Sequence, residues 1–119
     1  ISNGGAGVNL FDITGALTLN RIEDNQQGGV LIEAAYPQLV FNAIIGNHEY
    51  NLKNNNPFDG KHLDAKHNWW GTTDSNAITM MIIDGQENSA LGIADYEPFL
   101  MADIANLSTV FLPLVSKNE

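Results

Sequence analysis

Apolar residues in the first part of the chain come in short alternating pairs: Val8/Leu10, Leu17/Leu19, Val30/Ile32 and Leu39/Phe41. Alternation with a period of two puts both members of a pair on one face of a β-strand. Gly, Asn and Asp separate the pairs, and these are the residues that turns require. The pairs also keep step with one another. Val8 precedes Val30 by 22 positions, and Leu10/Ile32, Leu17/Leu39, Leu19/Phe41 and Ile22/Ile44 share that spacing. Two polar columns follow the same period: Asn20 with Asn42 and Asn25 with Asn47, in the strings Asn20-Arg-Ile-Glu-Asp-Asn25 and Asn42-Ala-Ile-Ile-Gly-Asn47.

Two or three short strands per turn, each stacked on its copy in the next turn, predict a parallel solenoid. A helical solenoid fits badly, because its repeats need long stripes of 3.6 period and few Asn or Gly. Asn in a fixed column has a structural meaning: it tolerates the left-handed backbone of a corner, and its amide can bond the Asn one turn away. A ligand-binding role for these residues is the weaker reading. The third turn is less regular. Tyr50 and Leu52 continue an alternating strand, and Lys53-Asn-Asn-Asn-Pro57-Phe-Asp-Gly60 reads as a loop leaving the stack. Leu63, Ala65 and Asn68 resume the pattern, with Asn68 placed 21 after Asn47.

Residues 63–100 carry a second signature: Asn68-Trp69-Trp70-Gly71-Thr72, then Asp84-Gly85, Leu91-Gly92 and Tyr96-Glu97-Pro98-Phe99-Leu100. In that order they resemble the C-terminal end of right-handed parallel β-helix proteins, the pectate-lyase-like superfamily in its broad sense. The resemblance implies an all-β fold: a right-handed parallel β-helix of about three coils over residues 1–68. An aromatic C-terminal cap and tail over residues 69–119 would complete the same domain and contain a short helix. Trp69, Trp70, Tyr96 and Phe99 would cover the stack's end, with at most one Trp exposed. Asp74 or Ser75 would cap a helix carrying Ile78, Met81 and Ile82. Beyond Leu100, residues 101–107 suit a short helical or loose segment, and Val110-Phe-Leu-Pro-Leu-Val115 an edge strand, given Pro113. That ending is similar to the Leu-Pro-Leu-Val termini of exported proteins of filamentous green bacteria, which implies an extracellular or cell-surface location.

Charge narrows the partners. Five basic residues against fourteen acidic ones leave a formal charge of −9, which excludes nucleic acid and anionic membrane as expected partners. No cysteine is present, so neither disulfides nor thiol chemistry enter. The chain opens at Ile1 inside the pattern, as expected of a fragment or a processed product.

Candidate chemistry is sparse. Lyases of the resembled superfamily bind calcium through acidic residues on the outer face of one sheet, beside a basic residue. The acids available are Asp12, Glu23, Asp24, Glu33 and Glu49, with Asp12 and Glu33 able to approach across turns. Arg21 meets Ala43 in the next turn, which breaks a basic row. The Asp84-Gly-Gln-Glu-Asn88 turn is a minor calcium candidate, since such a site needs six to eight oxygens. His48, His62 and His67 are spaced 14 and 5 apart, which is no close-ligand zinc motif. Gly4-Gly5 and Gly28-Gly29 serve as turn residues before strands. No catalytic residue, cofactor-binding residue or cofactor is therefore assigned, calcium remains the one candidate ion, and the metal ligands stay unassigned.

The expected function is structural: a region that caps and stabilises the C-terminal end of a longer exported β-helix, not catalytic by itself. The alternatives are a carbohydrate-binding β-helix module and a fragment of a polysaccharide lyase or epimerase. Val8, Leu10, Leu17, Leu19 and Ile22 are covered from one side only in this arrangement. The expected partners are upstream β-helix coils or another copy through the N-terminal coil, giving a homo-oligomer when isolated, with carbohydrate as a further candidate.

Overall fold

The computed structural model describes residues 6–107. The alternating segments form strands: β1 (Ala6–Phe11), β2 (Ala16–Thr18) and β3 (Arg21–Glu23) make a first turn. A second turn consists of β4 (Gly28–Glu33), β5 (Gln38–Val40) and β6 (Ala43–Ile45). Each strand of the first turn pairs in parallel with its counterpart. Val8 lies opposite Val30, Leu17 opposite Leu39 and Ile22 opposite Ile44. The corners between strands recur as well. Asp12 and Ala34 have φ of 52° and 49°, Leu19 and Phe41 59° and 57°, Asp24 and Gly46 57° and 62°. Left-handed φ costs a bulky residue about 1–2 kcal/mol, so the turn geometry overrides local preference at Leu19 and Phe41.

After the second turn the spacing drifts. Leu52 in β7 (Leu52–Asn54) still lies opposite Val30, 22 positions back. Trp69 bridges Ala43 from 26 positions away, so four extra residues (26 − 22) enter between Leu52 and Trp69. Ile82 of β9 (Ile82–Ile83) pairs with Leu52 at a separation of 30 (82 − 52). Strand β10 (Ile93–Asp95) pairs with β8 (His62–Asp64) at 31 (93 − 62). The connection to β9 holds helix α1 (Ser75–Met80), whose N-cap Asp74 accepts the Asn76 amide at 3.0 Å.

These pairings correct the expected fold. The described residues make a compact mixed α/β globule of four separate small sheets and two short helices, α1 and α2 (Ile104–Leu107). One sheet has the order β1-β4-β7-β9; the others are the pairs β2-β5, β3-β6 and β8-β10. Its radius of gyration is 13.6 Å and its extents are 39 × 32 × 28 Å, not the dimensions of a rod. Three equal coils of a right-handed parallel β-helix are not formed, because the 22-residue register ends with β7 and later pairings span 26 to 31 positions. The likeness to the pectate-lyase-like superfamily falls with that architecture. Its signature residues do other work here: Trp69 bridges β6, β9 joins the four-stranded sheet, and β10 pairs with β8. A region woven into the sheets in this way is no separate cap, so the expected capping role is overturned too.

One apolar interior unites the sheets. Ile22, Val30, Ile32, Leu39, Ile44, Leu52, Leu63, Ile78, Ile82 and Trp70 are buried together, each aliphatic contributing about 1.5–3 kcal/mol by leaving water. Ile82 reaches this core from β9 rather than from the helix. Tyr96 and Phe99 stack at 6.3 Å against its border. Gly28 and Gly29 are strand residues, not turn residues. A Cβ on Gly28 would lie 2.3 Å from the Tyr50 ring, and one on Gly29 2.4 Å from the Asn51 carbonyl oxygen.

Asparagine amides run through the interior as ladders. Asn20 donates its backbone N–H (3.0 Å) and Nδ2 (3.3 Å) to Oδ1 of Asn42, and Asn42 donates the same groups to Oδ1 of Asn68 at 2.9 and 3.1 Å. Asn68 therefore continues the Asn42 column, not the Asn47 column. The second ladder runs from Asn25 to Asn47 and then to Asn51, four residues on. Asn54 and Asn56 also lie inside, where Asn56 exchanges bonds with both backbone groups of Ala35. The segment expected to leave the stack as a loop thus begins with buried amides.

Candidate functional site

The acids singled out in the sequence do not converge. Asp12 and Glu33 meet through the backbone, Asp12 N–H donating to the Glu33 carbonyl at 3.2 Å. The Glu33 carboxylate instead accepts Asn55 Nδ2 at 3.0 Å. Glu23 bonds Arg21 at 3.0 Å, while Asp24 and Glu49 lie exposed. Arg21 also grips Asp103 through two contacts of 2.9 and 3.0 Å, which ties the start of α2 to the first turn. Asp103 accepts the Ala105 amide, and that bond, with Arg21 beside it, holds its carboxyl below the usual range.

The Asp84 turn is a structural staple. Asp84 is buried, its Oδ1 accepting Gln86 N–H at 3.1 Å and its Oδ2 accepting Ala94 N–H at 2.7 Å. Glu87 returns a carboxylate to Asp84 N–H at 2.9 Å. The neighbouring cleft, about 420 Å³, is lined by Thr79, Ile82, Asp84, Glu87, Tyr96 and Glu97. Its buried carboxylate is already engaged by backbone amides. The histidines are dispersed. His62 Nδ1 is 2.9 Å from Asp95, His67 packs its ring 6.1 Å from Phe41, and His48 is exposed. Among the described residues no group of three or more His, Asp or Glu is placed to hold a metal ion. Among them, too, no helix is long and apolar enough to cross a membrane.

What the residues do bring together is an edge. Strands β1, β2 and β3 each end a sheet, paired on one side only among the described residues. In β1 and β2, alternate backbone groups face away from the single partner that the described residues supply. Val8, Leu10 and Leu17 pack against the core yet stay half-exposed. Of the large apolar residues that are exposed, Phe11, Ile13 and Leu19 all fall in this first turn, at 66%, 40% and 73%. Two terminal strands, β1 and β2, and an apolar border exposed among the described residues form a surface of the kind that proteins normally cover.

Asn20 completes this edge. Asn42 Oδ1 and Asn68 Oδ1 each take two donors from the turn before, whereas Asn20 Oδ1 has no donor among the described residues. The buried amides also reach back to a carbonyl of that earlier turn. Asn42 Nδ2 donates to the Leu17 oxygen and Asn68 Nδ2 to the Leu39 oxygen, both at 2.8 Å. Among the described residues, Asn20 Nδ2 has only Thr18 and Asn42. This rung was legible as an Asn column, but its unfilled side required the pairings. A repeated spacing held the missing signal: Leu17, Leu39 and Ala65 precede Asn20, Asn42 and Asn68 by three, and Ile22, Ile44 and Trp70 follow by two. Gly4-Gly5 and the Val110–Val115 run lie outside the described residues. No family model, curated protein or solved structure matches this chain.

Proposed function

We propose that this protein is a docking module whose first-turn edge, β1 and β2, receives a further strand. The carrying observation is the coincidence of β1 and β2, each paired on one side among the described residues, with the exposed Phe11, Ile13 and Leu19 on the same turn. Strand addition supplies backbone hydrogen bonds, and the apolar border supplies area removed from water. An extracellular or cell-surface setting belongs to the same reading, supported by the likeness of the Leu112-Pro113-Leu114-Val115 ending to those of exported proteins.

An open apolar edge deprived of its occupant pairs with itself. Sedimentation velocity over a concentration series, with amide hydrogen exchange at each point, tests this. The expected result is reversible self-association that slows exchange in β1 and β2. The Phe11→Lys/Leu19→Lys double variant alters two exposed side chains and is expected to stay monomeric. A wild-type monomer at every concentration, with β1 amides exchanging freely, overturns the reading.

A further inference from the structure

We draw no further inference here: the strongest candidate, the cleft of about 420 Å³ beside β9 and β10 with Asp84, Glu87 and Glu97 in its lining, is an acidic cluster whose buried carboxylate is already held by backbone amides, and nothing else in the described lining points to a ligand.

Discussion

The first and second turns are built from the same pattern and live in different environments. Leu17 and Leu39 sit opposite each other in a parallel pair, yet Leu39 is fully buried and Leu17 is half-exposed. Asn20 and Asn42 occupy one ladder, yet Asn42 is sealed and Asn20 is not. The residues are alike; the number of neighbouring turns is not. In a stacked arrangement a side chain's environment is set by what lies above and below it, so an equal residue at the end of the stack contributes less to stability and offers more to a partner.

The comparison is open to direct attack by mutation. The largest effect is expected in the apolar column. Leu39→Ala should destabilise by about 3–4 kcal/mol in urea unfolding, near the middle of the range for buried leucines, and Leu17→Ala by roughly half as much. Equal losses would show that the first turn is as well covered as the second. Next come the amides. Asn42→Ala removes the acceptor for two donors and abandons partners on both sides, for about 2–4 kcal/mol. Asn20→Ala should cost only about 1 kcal/mol.

Close packing of the second turn against the third gives a smaller test. Gly28→Ala drives a methyl into the Tyr50 ring and should cost about 1–3 kcal/mol. Replacing Tyr50 by Ala in the same chain should abolish that increment, measured as a double-mutant cycle. The smallest effect concerns the tether between the first turn and α2. The Asp103 carboxyl is held below its usual range in the fold, so the unfolded chain binds its proton at higher pH. Its stabilisation is therefore present above the ordinary carboxylate range and disappears as pH falls through the depressed value. Asp103→Asn should flatten that part of the stability profile, with a change at neutral pH of at most about 1 kcal/mol. A profile of unaltered slope would dissociate the Arg21 contact from the stability of the first turn.

Legibility in the sequence followed locality. The first two turns were readable because their spacing is constant, which is why Val8, Leu17 and Ile22 land opposite the residues 22 positions on. The helix cap at Asp74 was readable because capping is local. Asn68 was assigned to the wrong column because four residues enter before it, and a fixed period cannot reveal where. Strands β9 and β10 were not anticipated as sheet members, since their partners lie 30 and 31 positions away with no shared period. Of the five residues that the spacing leaves covered from one side, Val8, Leu10, Leu17, Leu19 and Ile22, the last is fully buried. The unfilled side of Asn20, by contrast, depends on the direction in which each amide points, which composition does not encode.

The repeated corners have a further consequence. Asp12 and Ala34, Leu19 and Phe41, and Asp24 and Gly46 share a left-handed path although their side chains have nothing in common. The path is therefore dictated by the stack, and the identity of the corner residue is left open to change. Asp12, Leu19, Asp24 and Ala34 are exposed. An engineer or a mutating lineage can rewrite such sites to alter the protein's outer texture, with asparagine or glycine as the least strained substitutes, without disturbing the interior that holds the turns together.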